Sequence, residues 1–234
     1  GLPVIASTWN GYREAVEHGV SGILVDSYLP HVSMADAAYR YLSGVDTYDL
    51  YIGALSQLCF VDVAKTAQWI VTLSADEALR RRLGEAARKT IEDKFDWSKI
   101  IPLYFELWKE QLERLEQVRA NKDTQRSTTW TAQDPTAIFA GFPSHRLDLT
   151  AALMQGPLFS QWNDLVKQPG VVVNGSILVS QKALRLIHEQ FANNPRFIVK
   201  DTLERFKTAE QAPVLRSLHW LIKVGLLQLA QPSL

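Results

Sequence analysis

Two short apolar runs, Leu2–Ser7 and Ile23–Val25, are joined by one polar turn and one short helical pattern. Nothing else in the chain restricts the fold as strongly. A strand, a helix and a second strand in so short a span read as a βαβ unit, and such a unit implies a parallel sheet. Pro3 falls near the start of the first run, where a missing N–H is tolerated, and the β-branched residues behind it suit a strand buried on both faces. Thr8–Gly11 is the turn. Tyr12–His18 reads as the helix, with Ala15 and Val16 inward and Gly19 as its C-cap. The sequence starts on the strand without an initiating Met, so it reads as the later portion of a longer chain.

The remainder divides by pattern. Residues 27–60 hold five of the seven tyrosines, Tyr28, Tyr39, Tyr41, Tyr48 and Tyr51. They read as a helical insertion whose rings pack half-buried; contact with a substrate or subunit is the other reading, since tyrosine suits sites where one end of the ring stays wet. Helices dominate from Asp62 to Ala120. Asp62 is placed to cap one, Ser74 with Glu77 forms a capping box for the next, and Ser98 is placed to cap a long helix. That last helix carries Ile101, Phe105, Trp108, Leu112 and Leu115 on one stripe, with Pro102 in its first turn. Residues 121–135 are polar and aperiodic and read as a linker. The expected domains are therefore 1–120 and 136–234.

The second domain has its own signals. "GVVVNGSILVS" places Asn174–Gly175 between apolar runs, which predicts a hairpin. The Asn-x-Ser pattern there is explained by the turn alone. Helices follow at Gln181–Ala192, Ile198–Phe206 and Gln211–Val224, then a strand at Leu226–Leu229. A hairpin or strand, three helices and a strand give a winged-helix-like order, which brings DNA in as a candidate partner. Residues 181–234 carry eight Lys or Arg against four Asp or Glu, a balance of +4. The expected recognition helix offers only Arg216 and Lys223 among apolar neighbours such as Trp220, fewer donors than a base reader needs. A packing or protein-interaction module is the preferred reading, and DNA the alternative.

Composition excludes several classes. Lys plus Arg and Asp plus Glu are both 25, so the chain is not a uniformly basic nucleic-acid binder. No run approaches the ~20 apolar residues of a membrane span. Cys59 is the single cysteine, so an intrachain disulfide is impossible and a reducing, cytoplasmic setting is the expectation. His18, His31, His145, His188 and His219 have no histidine or cysteine three or four residues away, so no local metal motif exists. No nucleophile motif is present either, and no catalytic residue is assigned.

"GLPVIASTWNGYREAVEHGVSGILVD" resembles the C-terminal domain of the retaining, GT-B-fold glycosyltransferases of the large family four. The resemblance is carried by Gly1–Ser7, by Asn10–Val16, by Gly19 and Gly22, and by Leu24–Asp26. It continues in "LRRRLGEAARKTIEDKFDW", through Arg80, Leu83, Gly84, Ala87, Arg88 and Phe95–Trp97, and covers roughly residues 1–118. It implies a fold of class α/β: a partial Rossmann-like, donor-binding domain, followed here by the winged-helix-like, mainly helical one. It implies a nucleoside diphosphate sugar as donor substrate, a sugar acceptor and no bound metal or other cofactor. The family's paired Glu signature and its acceptor-binding domain would precede Gly1, so the chain alone is expected to be inactive. Ligands of open α/β sheets sit at the carboxyl ends of the strands. Ser7, Asn10, Gly11 and Glu14 would therefore border the donor, with Gly11 free to take positive φ and the N–H groups at the start of Tyr12–His18 facing a pyrophosphate. For Glu14, a carboxylate stabilised by the helix dipole is the competing reading. The long helix would pack on the preceding domain, and its stripe, if bare, would favour self-association as a homodimer.

Overall fold

The structure, a computed structural model, describes residues 1–120, 134–194 and 196–230. In chain order the elements are β1 (Ile5–Ser7), α1 (Tyr12–Ala15), β2 (Ile23–Val25), β3 (Ser27–Pro30), α2 (Ala35–Leu42), α3 (Tyr48–Ser56), β4 (Phe60–Val61), α4 (Val63–Ala75) and α5 (Glu77–Thr90). A π-helical turn at Ile91–Phe95 leads into α6 (Trp97–Ala120). After residue 133 come α7 (Pro135–Ile138), β5 (His145–Leu147), β6 (Ala152–Gln155), α8 (Trp162–Leu165), α9 (Gln181–Asn193), β7 (Arg196–Ile198), α10 (Val199–Leu203), α11 (Thr208–Lys223) and β8 (Leu227–Leu229). The class is mixed α/β with small sheets. Among the described residues no helix is long and apolar enough to cross a membrane. The linker expected at 121–135 falls almost wholly outside the described residues; its end is a helix start, with Asp134 accepting from the Thr136 N–H at 3.0 Å and Pro135 in the first turn.

The chain forms two compact units. The first comprises residues 1–7, 11–25 and the segment from residue 63 through α6. Here β1 and β2 pair in parallel, Ile5 opposite Ile23 and Ser7 opposite Val25, as the βαβ pattern required. Ile23, Val25, Leu73 and Leu83 form its core, with Ile5, Trp69 and Leu79 packed against them. The two sequence blocks that carry the family resemblance meet here. A Cβ on Gly84 would lie 2.2 Å from the Gly1 carbonyl oxygen, so α5 can approach the chain start only with glycine at this position.

Local details correct the expected caps. Asp76, not Ser74, caps α5, accepting from the Leu79 N–H at 2.8 Å, and the Ser74 hydroxyl instead donates to the Val71 carbonyl. Asp96 holds the entry to α6 by accepting from the Ser98 N–H at 2.8 Å. Its carboxyl is thereby drawn below the usual range, first by the Ser98 side chain and then by the Ser98 backbone. Both substitutions follow one rule: a carboxylate placed two or three residues before a free N–H outcompetes a neighbouring hydroxyl. Along α6 the apolar stripe is bare, with Phe105 63% and Leu112 61% exposed.

The second unit comprises residues 8–10, 26–62 and the described residues from 134 onward. Residues 26–62, which contain the insertion expected at about 27–60 of the first domain, cluster here because β3 pairs antiparallel with β4 and parallel with β5, Tyr28 opposite His145. A second sheet runs β7-β6-β8, antiparallel throughout. The core is large and is organised on α11, whose residues 214–221 are all buried. Gly225, at φ +78°, ends that helix.

The hairpin expected at Asn174–Gly175 does not form. Asn174 is 6% exposed and caps a 3-10 turn, Gly175–Ile177, by accepting from the Ser176 N–H. Its amide donates to the Leu50 carbonyl at 3.3 Å and to Asp46 at 3.4 Å, while Gln57 binds its backbone from both sides. These bonds outweigh the intrinsic turn preference of Asn–Gly. Arg40 and Asn174 together hold the Asp46 carboxyl below its ordinary pKa, the Arg40 hydrogen bond being the larger cause.

Candidate functional site

The four residues expected to border a donor are divided by the fold. Ser7, Gly11 and Glu14 belong to the first unit and Asn10 to the second. Ser7 ends β1, opposite Val25. Gly11 has φ −62°, so it does not use positive φ; the left-handed residue is Asn10, at φ +48°. Asparagine tolerates that conformation because its short polar side chain can compensate locally. The Asn10 N–H donates to the Phe142 carbonyl at 3.1 Å, which ties it to residues far along the chain. No described residue comes within 4 Å of a Cβ built on Gly11, so among the described residues the space beside this turn is open.

The helix behind the turn is shorter than expected, Tyr12–Ala15 rather than Tyr12–His18. Val16 is already extended, and His18 is used elsewhere: its Nδ1 accepts from the Leu24 N–H at 3.0 Å and its ring meets Trp69 edge-on. Four residues sum to little dipole, so the expected electrostatic role of Glu14 loses most of its basis. Glu14 is exposed, and its N–H and that of Ala15 both donate to the Gly11 carbonyl.

A second polar group, not anticipated from sequence, lies within the second unit. The Thr8 hydroxyl donates to Ser144 Oγ at 2.8 Å and lies 3.0 Å from Ser27 Oγ. The buried Ser27 N–H reaches both Ser144 Oγ and Thr8 Oγ1, at 2.9 and 3.1 Å. Beside it His145 Nε2 stands 3.3 Å from Asp26 Oδ1. Tyr28 is stacked between Phe60 and His145, and burial, followed by the charges of Asp26 and Asp62, raises its phenol pKa. Serine, histidine and aspartate side by side invite comparison with a hydrolytic triad. The geometry rules otherwise: the Ser144 hydroxyl donates to the Ser27 carbonyl at 3.0 Å, and the histidine nitrogen faces the aspartate. A nucleophilic serine needs its base within hydrogen-bond reach of the hydroxyl. The cluster instead clamps residues 8–10 to β3 and β5. Ser144→Ala removes the nearer of two acceptors of the Ser27 N–H and the acceptor of the Thr8 hydroxyl, and should lower unfolding free energy by about 1–2 kcal/mol in urea titration.

Among the described residues no group of three or more His, Cys, Asp or Glu is arranged to hold a metal ion. No family model, curated protein or solved structure matches the chain.

Proposed function

We propose that the first unit is part of the donor-binding domain of a retaining, GT-B-type glycosyltransferase, which moves a sugar from a nucleoside diphosphate sugar to a hydroxyl acceptor. The observation that carries the reading is the parallel β1–β2 pair, from whose carboxyl end the open Ser7–Gly11 turn departs. In open α/β sheets that edge is where ligands bind. Further support comes from the close approach of Gly84 to Gly1, which joins the two stretches of family resemblance in one unit. Ser7, Gly11 and Glu14, which belong to this unit, would border the donor. Such a site acts by positioning the donor and by stabilising the departing diphosphate.

Saturation-transfer NMR of the full chain with UDP, GDP and ADP and their glucose conjugates tests this. One nucleotide should receive saturation at its ribose and diphosphate-proximal protons, and the signal should collapse in Gly11→Trp, whose Cβ would meet no described atom within 4 Å. Absence of transfer to every nucleotide at millimolar concentration would falsify the assignment.

A second reading, a winged-helix-type binding module, draws on the order α9, β7, α10, α11, β8, with β6 completing a three-stranded sheet. In that reading the second unit serves packing or protein contact. DNA is disfavoured by the burial of α11: Arg216, a candidate base contact, is sealed against Asp36, and Trp220 is fully buried. Full chain titrated with duplex DNA at 50 and 200 mM salt is expected to give no retarded complex at either.

A further inference from the structure

The second unit contains a cavity of about 280 Å³ framed by α3, α7 and the segment after β3. One wall is aromatic: Trp9 meets Phe142 edge-on at 5.6 Å, and Phe139 meets Phe142 at 4.9 Å. The floor is Leu29, Met34 and Leu58, all buried. Ile52, 41% exposed, stands on α3 beside the opening.

Among the described residues no charged side chain lines this space. Its two side-chain hydroxyls are already engaged, Ser56 donating to the Ile52 carbonyl at 2.6 Å and Thr136 to Asp134 at 2.7 Å. The remaining polar side chains are the Trp9 indole and the Cys59 thiol; burial pushes the thiol up in pKa against the opposing pull of Lys223, so it stays neutral near pH 7. Water fits such a space poorly, since each buried molecule needs two to four polar partners. An uncharged ligand with a flat face fits it well, because ring edges and faces on the wall offer T-shaped and stacked contacts and Met34 adapts to the ring outline. Size sets the scale: a cavity of ~150 Å³ takes one benzene, so this one takes two fused rings, about ten heavy atoms.

We propose that this cavity is a binding site for a small, neutral, planar aromatic molecule of one to two rings. Binding is non-covalent, with Cys59 a wall residue and not a nucleophile. The site is independent of the donor assignment and lies wholly within the second unit.

Indole is the probe, and Cys59, as the only cysteine, is the reporter. With the full chain at pH 7.5, reaction of Cys59 with a thiol-specific disulfide reagent should slow on adding indole, to about a third of its rate at indole twice its dissociation constant. Indole should also raise the thermal midpoint, while indole-3-acetate, similar in shape but charged, should do neither. Ile52→Trp places an indole ring at the mouth; the variant should label slowly without ligand and respond no further to indole. The wild-type titration stands whether or not that variant folds. The proposal is overturned if indole leaves the labelling rate unchanged at saturation in water, if the acetate protects equally, or if a folded Ile52→Trp responds like wild type.

Discussion

Between pH 7 and pH 4.5 the protein should lose about 3 kcal/mol more stability than its His219→Leu variant, measured by urea unfolding at the two pH values. His219 sits in the middle of α11 with no exposed surface, its ring 4.6 Å from Phe60. Neither ring nitrogen makes a hydrogen bond of good geometry with any described residue, although backbone of Tyr28 and Leu58 comes near enough to favour the proton weakly. Burial dominates and lowers the pKa to about 3, with the Lys223 charge adding to the shift. The sign follows from proton counting. Between an ordinary pKa of 6.5 and the folded value of about 3, the unfolded chain binds a proton that the folded chain refuses. Stability is therefore full above pH 6.5 and falls steadily below it, by about 1.4 kcal/mol per pH unit, until the folded ring itself protonates. Leucine at 219 cannot titrate and leaves no buried ring nitrogen unpaired, so the variant should match or exceed wild type at pH 7. Parallel pH profiles for the two proteins would show that the ring is reached by water.

The second large effect concerns Arg216, one turn earlier on α11. Its side chain is 5% exposed, while its partner Asp36 on α2 is 55% exposed. Two guanidinium nitrogens bind the two carboxylate oxygens at 2.8 and 2.9 Å and one reaches the Ser33 carbonyl at 2.5 Å; Nε has no partner among the described residues. Asp36→Ala leaves a buried cation with the Ser33 carbonyl alone. Breaking a fully buried pair costs about 3–5 kcal/mol; with the carboxylate half in water, about 2–3 kcal/mol is expected. Arg216→Leu should cost less, because the stranded partner is then an aspartate that water can solvate. The double variant should be more stable than Asp36→Ala alone. A double-mutant cycle by chemical denaturation separates these values, and equal losses in the two single variants would show that the pair carries no buried-charge penalty.

What could be read from the chain alone follows the distance over which each feature is decided. β1, β2 and their parallel pairing were legible because two apolar runs lie within one short window, whereas the helix end expected at Gly19 falls instead at Val16. The ends of α9 and α11 were legible to within a few residues for the same reason, Gly225 marking a stop that no other residue would make as well. Asn174 was misread because its local preference is for a tight turn, and the bonds that override it come from Gln57, Leu50 and Asp46, more than a hundred positions away. Arg216 and Asp36, separated by 180 positions, could not be matched from either end. The Thr8–Ser27–Ser144 hydroxyl cluster carried no sequence signal, since threonine and serine are as common in turns as in buried networks. Of the expected donor residues, Ser7 ends β1, Gly11 caps α1 and Glu14 lies within it, while the Asn10 N–H donates to the Phe142 carbonyl.

The chain enters the second unit twice before it commits to it, first for residues 8–10 and then for residues 26–62, returning to the first unit each time. Neither unit is a continuous stretch that could be cut out and expressed. During synthesis β3 emerges more than a hundred residues before β5, its parallel partner, and so must wait with one edge unpaired while α4 to α6 are made. Pairings of such sequence separation are slow to close, and an edge left open is the kind that aggregates. Scission within residues 121–133, the polar stretch where a domain boundary would be drawn by eye, would leave 26–62 on one fragment and the strand and helix that bury it on the other. Co-expression of the two fragments should rescue a soluble product that neither gives alone.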